Sequence, residues 1–150
     1  MDKKRIAIFD VDGVISDHRH REHHVLKDPK NWDSFYAEMG KDLLVQDTFQ
    51  LMKSLVNNGW EIIFITGREM TIEKYHTTIN WFKDNEIYIH GNLHMRPEND
   101  RREDYEIKEE KVRKYVLERN YDVIIAFDDR IQNIEMYKRL GITCFHTFIK

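Results

Sequence analysis

Short apolar runs alternate with stretches of helical spacing along this chain, and that alternation limits the fold more than any other feature. Apolar residues three or four positions apart occupy residues 49–56, 72–82, 107–116 and 131–140. The continuous apolar runs occupy residues 6–9, 61–66, 86–90, 122–129 and 142–147. Strands that alternate with helices of this length form parallel sheets covered by helices on both faces. We therefore expect an α/β fold with a Rossmann-like, doubly wound parallel sheet of about five strands.

The segment at residues 16–46 departs from this alternation. It is polar and rich in histidine, and it follows the first predicted strand. A chain of 150 residues is long enough for one domain with one core. We interpret the chain as a single domain over residues 1–150, with residues 16–46 inserted as a small cap.

Charge and composition exclude several broad classes of protein. The formal net charge is −3, so any contact with nucleic acid must come from a local basic patch. No stretch approaches the roughly 20 apolar residues of a membrane span, and no apolar stretch precedes the first aspartates as it would in a signal peptide. Cys144 is the single cysteine, which fits a reducing compartment. We expect a cytoplasmic protein without a membrane partner.

Polar and charged side chains follow three of the predicted strands, at the point where each strand ends. In open parallel sheets, ligands bind at these carboxyl ends, near the place where the strand order reverses. A lysine that begins the helix before the fourth strand can reach the same edge of the sheet. These residues are Asp10, Asp12, Thr66, Gly67, Arg68, Lys108, Asp128 and Asp129.

The four aspartates of this set would repel one another unless a cation lay among them. Mg²⁺ commonly binds carboxylates together with water and phosphate oxygens. Such a site is typical of phosphoryl transfer, in which one aspartate attacks phosphorus and another moves protons. Taken alone, the Asp10 and Asp12 pair also fits a capped turn, and Asp128 with Asp129 fits a solvated turn. The complete set, in this order, favours a phosphoryl-transfer site with Mg²⁺ as cofactor.

The stretches FDVDGV, FITGR and AFDDR, together with Lys108, resemble the four motifs of the haloacid dehalogenase superfamily of phosphohydrolases. The resemblance implies that Asp10 is the nucleophile and that Asp12 is the general acid and base. It also implies that Thr66 and Lys108 hold the phosphoryl oxygens. Val14 stands where the superfamily has a threonine, so one hydroxyl near the first loop is lost.

The same resemblance implies which residues hold the metal. They are the carboxylates of Asp10 and Asp128, the main-chain carbonyl of Asp12 and, through water, Asp129.

The second half of the chain resembles the 3′-phosphatase domain of phage polynucleotide kinase-phosphatase. The resemblance lies in MRPENDRREDYEIKEEKV, where Arg96 and Asp104 precede the motif lysine, and in IIAFDDRIQNIEMYKRLGITCFHT. It implies a substrate that is a nucleic-acid 3′-phosphate end or a nucleotide, and the host cytoplasm as location if the protein is phage-encoded. The chain has no GxxxxGK[ST] motif, so 5′-kinase activity is not expected.

Several residues are candidates to bind the substrate. Arg68 follows the Thr66 turn directly, and with Gly67 it is placed to contact phosphate. Arg96 is assigned to the substrate through the resemblance, although it could be a surface arginine. His18 and Arg21 belong to the predicted cap and could meet the phosphate or sugar.

Two features of the predicted cap allow more than one interpretation. The four histidines between residues 18 and 24 could be zinc ligands, but they lack the spacing of a structural zinc site, and a solvated polar helix is also consistent. Trp32, Phe35 and Tyr36 could stack a nucleobase, but their near-helical spacing favours a cap core.

The sequence is consistent with three functions. The first is a Mg²⁺-dependent phosphomonoesterase that acts on nucleic-acid 3′ ends through a phosphoaspartate. The second is a (deoxy)nucleoside monophosphatase. The third is a non-enzymatic phosphoacceptor like a response-regulator receiver, which carries its acceptor aspartate after the third strand. Here the third predicted strand ends at His90 and Gly91, which argues against a receiver.

Overall fold

A five-stranded parallel sheet forms the centre of the computed structural model, which describes residues 2–150. In chain order the strands are β1 (Arg5–Phe9), β2 (Ser16–Asp17), β3 (Leu43–Leu44), β4 (Glu61–Glu69), β5 (Leu93–Arg96), β6 (Val123–Asp128) and β7 (Thr143–His146). The helices are α1 (Trp32–Ala37), α2 (Gln46–Asn57), α3 (Ile72–Asp84), α4 (Asp104–Tyr115) and α5 (Ile131–Arg139). The predicted α/β fold is confirmed.

The sheet has a core on each face because successive side chains of a strand point to opposite sides. Ala7 and Phe9 of β1 belong to the cluster that includes Phe82 of α3. Ile6 and Ile8 belong to the other cluster, which includes residues of α4 and α5. Helices therefore cover both faces, as a doubly wound sheet requires.

The strand order is β5-β4-β1-β6-β7, and each neighbouring pair is parallel. The chain moves outward from β1 through β4 to β5, and then returns past β1 to form β6. This reversal places the carboxyl ends of β1 and β6 side by side. The acids that follow these two strands are therefore neighbours.

The third strand lies later in the chain than the sequence analysis predicted, so the strand predicted at residues 86–90 is wrong. Glu86 and His90 have positive φ angles, which interrupt an extended strand. Ile87 is nevertheless buried, so its apolar character reflects a loop packed on the core. The strand is β5, which ends at Arg96, and proline rather than an acceptor aspartate follows it.

The segment between residues 16 and 46 begins and ends in a small antiparallel pair formed by β2 and β3. Between these strands lie two 3-10 helices, Arg19–His24 and Met39–Lys41, and helix α1. No residue of α1 is fully buried: Phe35 and Tyr36 are half-buried, and Trp32 is exposed. Among residues 2–150, no helix has the length and apolar character needed to cross a membrane.

Candidate active site

A buried lysine lies at the centre of the acids that follow β1 and β6. Lys108, from α4, is 1% exposed. Its Nζ lies 3.0 Å from Oδ1 of Asp10, 2.9 Å from Oδ2 of Asp128 and 3.4 Å from Oδ2 of Asp104. Lys108 thus offsets part of the repulsion among three carboxylates.

The titration of these groups reflects burial and close charges. Burial raises the pKa of Asp10 well above its ordinary value; the Lys108 ammonium opposes this shift, and Asp128 and Asp129 add to it. Burial would lower the pKa of Lys108, but Asp10 and Asp128 outweigh burial and raise it well above its ordinary value. The ammonium is therefore stable in the folded protein, whereas the negative charge on Asp10 is not fully compensated.

Three carboxylates at this edge of the sheet can hold a cation. Asp10, Asp128 and Asp129 each offer an oxygen, and these oxygens lie within 4.8 Å of one another. Burial raises the pKa of Asp129, and the charge of Asp128 adds to that rise. Oxygen donors with an excess of negative charge fit a hard divalent cation. The residues present therefore fit the metal that the sequence analysis expected.

Asp12 is held by two buried arginines. Arg68 donates from Nε to Oδ2 of Asp12 (3.0 Å) and from Nη2 to Oδ1 (2.7 Å). Arg21 donates from Nη2 to the same Oδ1 (2.6 Å). Burial alone would raise the pKa of Asp12, but the Arg68 and Arg21 guanidiniums hold that pKa far below its ordinary range. The structure thus places Arg21 and Arg68 on the carboxylate of Asp12, away from open solvent.

Asp42 joins the two arginines and was missed by the sequence analysis. Its buried carboxylate accepts hydrogen bonds from Arg21 Nε (2.8 Å) and Arg21 Nη2 (2.8 Å), and from Arg68 Nη2 (3.2 Å). His20 Nε2 lies 2.7 Å from Oδ1 of Asp42. Asp42 follows a lysine and precedes two leucines, and this context carries no signal of a link to Asp12.

Asn133 was also missed, although its position offered a signal. The Nδ2 group donates to Oδ2 of Asp104 (2.9 Å) and to Oδ1 of Asp128 (3.1 Å). Asn133 is buried in the first turn of α5, the helix that directly follows the paired acids. A polar residue there faces back toward the acids, so it fixes the distance between two carboxylates.

Two glycines allow carboxylates to approach the main chain. A Cβ on Gly67 would collide with Oδ1 of Asp104, and a Cβ on Gly13 would collide with Oδ2 of Asp129. Gly13 also has a φ of +82°, which L-residues rarely adopt. His18 lies beside the same loop, with its Cε1 3.2 Å from that Cβ position and its Nε2 3.0 Å from Glu22.

Gly13→Ala should impair the phosphatase activity that the sequence analysis predicts more than its loss of stability explains. Gly91→Ala is a matched control, because Gly91 has a φ of +78° and no atom within 4 Å of its Cβ position. Each substitution should cost about 1–2 kcal/mol through the left-handed conformation. Only Gly13→Ala should also displace Asp129 and lower the rate of phosphate release at a temperature where both variants are folded. Equal rates in the two variants would contradict the steric account.

The remaining candidate residues have different surroundings. Arg96 donates to main-chain carbonyls of Gly67 (3.1 Å), Asp100 (3.1 Å) and Arg102 (2.6 Å), so it binds the loop before α4 to the end of β4. The Thr66 hydroxyl is buried and accepts a hydrogen bond from the main-chain N–H of Arg68 (3.2 Å).

Arg130, which the sequence analysis did not single out, lies near the acid cluster. Burial alone would lower its pKa, but the nearby carboxylates of Asp104, Asp10 and Asp129 raise it.

The histidines of the first 3-10 helix pair with acids. For example, His24 Nε2 lies 3.3 Å from Oε1 of Glu38. Within residues 2–150, no group suited to a metal includes a histidine, so the zinc interpretation is not supported.

Similarity to known proteins agrees with this geometry. A family model described as "Polynucleotide kinase PNKP phosphatase domain" matches residues 4–148. The chain belongs to this family. It is therefore a phosphatase domain of the haloacid dehalogenase superfamily, and the motif resemblance found in the sequence is confirmed.

Relatives of this PNKP-type phosphatase domain are larger proteins. Chains from two solved structures, a Pnkp1/Rnl/Hen1 complex and a Pnkp1/Rnl/Hen1 RNA repair complex, are 25% and 27% identical to it, with TM-scores of 0.76 and 0.77. They cover 98% and 97% of this chain, which spans 48% and 42% of theirs.

Two further proteins are similar to this chain, one over a small part of its own length and the other at lower sequence identity. A protein of Autographa californica nuclear polyhedrosis virus, named as a bifunctional polynucleotide kinase/RNA ligase, is 27% identical over 92% of this chain and 18% of its own length. The class C acid phosphatase of Bacillus anthracis with tungstate bound shares the fold, at 16% identity, a TM-score of 0.66, and coverage of 99% of this chain and 68% of its own.

Proposed function

We propose that this phosphatase removes the phosphate from the 3′ end of a nucleic acid, and that it does so through a phosphoaspartate formed on Asp10. The observation that carries the chemistry is the contact of Lys108 with Asp10 and Asp128 at the reversal of strand order. The match of residues 4–148 to the PNKP phosphatase family supports a polynucleotide as substrate.

Asp10 is suited to attack phosphorus. Its Oδ1 accepts hydrogen bonds from the main-chain N–H of Val11 (2.8 Å) and contacts Lys108, so the carboxylate has a fixed orientation. In the first step an Asp10 oxygen bonds to phosphorus and the bond from phosphorus to the 3′ oxygen breaks. In the second step water attacks the same phosphorus, and the bond from phosphorus to Asp10 breaks.

Asp12 supplies and recovers one proton over these two steps. The protonated carboxyl gives its proton to the departing 3′ oxygen, and the carboxylate then accepts a proton from the attacking water. Arg21 and Arg68 favour the ionised form, which suits the second step and opposes the protonated form that the first step needs. We assign both arginines to the orientation of Asp12 rather than to direct contact with phosphate.

The phosphoryl oxygens need donors and positive charge. Thr66, Lys108 and Arg130 are the groups we assign to them, because each lies at the acid cluster and carries a hydroxyl or a cation. Gly67 gives room for Asp104, Arg96 holds the adjoining loop, and His18 borders the Gly13 turn. Asp10, Asp128, Asp129 and the Asp12 carbonyl would hold Mg²⁺, which when bound neutralises charge on the transferring phosphoryl group.

Substrate choice is tested by phosphate release in the presence of Mg²⁺ from matched substrates. The set comprises a 3′-phosphorylated oligonucleotide, the same oligonucleotide with a 5′-phosphate, and 3′- and 5′-mononucleotides. The 3′-phosphorylated oligonucleotide should have the highest kcat/KM. A higher kcat/KM for mononucleotides would favour the nucleoside monophosphatase, and a single phosphorylation without turnover would favour a phosphoacceptor.

Metal binding should stabilise the protein as well as activate it. Chelation with EDTA should abolish phosphate release, and Mg²⁺ should restore it. Because a cation relieves the repulsion among Asp10, Asp128 and Asp129, excess Mg²⁺ should raise the unfolding temperature of the wild-type protein. Asp128→Asn should lose most of this rise, whereas Asp84→Asn, at an exposed acid, should keep it. An equal rise in both variants would place the metal elsewhere.

A further inference from the structure

The aromatic side chains of α1 form a partly exposed cluster beside the active site. Trp32 and Tyr36 stack with their ring centres 5.9 Å apart and their planes 24° apart. Phe35 meets Trp32 edge-on at 5.6 Å and Tyr36 edge-on at 5.2 Å. The three residues, named here the aromatic ladder, leave Trp32 46% exposed. The contacts with Tyr36 and Phe35 hold the partly exposed indole in one orientation, which suits it to binding.

The inner end of the ladder borders the catalytic carboxylates. The Arg21 guanidinium, which binds Asp12, lies 4.3 Å from the centre of the Phe35 ring. Burial raises the pKa of Tyr36, the Asp12 charge adds to that rise, and the Arg96 guanidinium opposes it. Tyr36 is therefore the inner ring, within electrostatic reach of Asp12, and Trp32 is the outer ring that faces solvent.

Cations lie against both stacked rings. Lys74 Nζ lies 4.2 Å from the centre of the Tyr36 ring, and Lys30 Nζ lies 5.9 Å from the centre of the Trp32 ring. Lys74 Nζ also lies 3.0 Å from Oε1 of Glu69, so part of its charge is already paired. Alternating aromatic rings and cations are the recurring design of sites that bind single-stranded nucleic acid, in which bases stack on the rings and phosphates meet the cations.

We propose that the aromatic ladder binds single-stranded nucleic acid on the 5′ side of the phosphate that is removed. Trp32 stacks on the base of the penultimate nucleotide, and Lys30 and Lys74 lie close to the linking phosphodiester. This inference rests on the proposed function, and it makes a polynucleotide end rather than a free nucleotide the preferred substrate.

The test compares substrates of increasing length. They are a nucleoside 3′-phosphate, a 3′-phosphorylated dinucleotide, and the same dinucleotide with an abasic penultimate residue. All three are tested as DNA, and the first two are also tested as RNA. For the wild-type protein, KM should fall about tenfold from mononucleotide to dinucleotide, because stacking of the second base on an aromatic ring strengthens binding. The abasic dinucleotide should not show this fall, so its KM should be close to that of the mononucleotide.

Substitutions of Trp32 test whether this residue is responsible for the lower KM of the dinucleotide. Trp32→Ala should raise KM for the dinucleotide about tenfold, leave kcat unchanged and leave KM for the mononucleotide within about twofold. Trp32→Phe should recover part of the loss, since it retains a ring. Tyr88→Ala is the matched control, because Tyr88 is an aromatic side chain that is 81% exposed and precedes the amino end of β5, whereas the active site lies at the carboxyl ends of the strands. It should change neither KM.

The outcomes separate this inference from the proposed function. If wild type cleaves the dinucleotide but Trp32→Ala has the same KM, the ladder does not bind the substrate and the phosphatase assignment stands. If Trp32→Ala raises KM equally for mononucleotide, dinucleotide and abasic substrate, the base-stacking role is also overturned. If wild type releases phosphate only from mononucleotides, the proposed polynucleotide function itself fails.

Discussion

Asp10→Asn should abolish turnover without unfolding the protein. The variant keeps an oxygen that can accept the hydrogen bonds of Val11 and Lys108, but it lacks the carboxylate that we propose attacks phosphorus. Loss of a nucleophile should lower kcat by about 1000-fold or more. In metal-free buffer we expect no fall in the unfolding temperature, because burial raises the pKa of Asp10 and its negative charge therefore opposes folding at neutral pH.

The sign of the stability effect follows from linkage. An acid with a pKa raised in the folded state binds protons more tightly there, so its ionisation destabilises the fold as pH rises above the pKa of the unfolded chain. An amide cannot ionise and therefore does not incur this cost. Asp84→Asn, at an exposed position of α3, controls for the chemistry of the substitution and should leave kcat unchanged. Normal turnover by Asp10→Asn with Mg²⁺ present would rule out the phosphoaspartate.

Lys108→Met should damage both stability and catalysis. The methionine fills a similar volume but leaves Asp10, Asp104 and Asp128 without their shared cation. Removal of one partner from a buried ion pair typically costs about 3–5 kcal/mol, measurable as a lower denaturant midpoint. Phosphate release should fall about 100- to 1000-fold, because the variant loses the preorganised positive charge that we assign to the phosphoryl oxygens.

A second substitution separates these two effects. Asp104→Asn removes one of the three carboxylates, so in the Lys108→Met background it should recover part of the lost stability. It should not restore the rate of phosphate release, because the double variant still lacks the Lys108 ammonium. Lys83→Met, at an exposed lysine of α3, should change neither quantity. Full recovery of activity in the double variant would show that Lys108 acts only on stability.

The sheet and its acids could be predicted because their signals are local. The first strand and the strand beginning at Glu61 are buried, so their apolar runs identify them without knowledge of the partner strand. Topology then places the residues after β1 and β6 together. The third strand of the sheet was predicted too early in the chain, at residues 86–90. The loop before β5 buries Ile87, so its apolar residues resemble those of a strand.

The orientation of the arginines could not be predicted in the same way. An arginine beside a phosphate motif can face the substrate or a carboxylate of the protein, and the outcome depends on which acid lies opposite it. Arg21 and Arg68 face Asp12 because Asp42, some thirty positions after Asp12 in the chain, also binds both of them. No spacing rule connects residues of a strand end, an inserted segment and a turn. The sequence therefore indicates the acids of the site more clearly than the partners that orient them.

The hydrogen bonds of Asp42 limit how freely the inserted segment can be exchanged between relatives. Arg21 and Asp42 come from that segment, Arg68 comes from the sheet, and together they set the position of Asp12. A graft that carried new substrate contacts but not this pair would leave the buried guanidinium of Arg68 with one carboxylate fewer. The segment is thus a structural partner of Asp12, the proposed acid and base, and a designer who wished to alter specificity would have to transplant Arg21 and Asp42 as one unit.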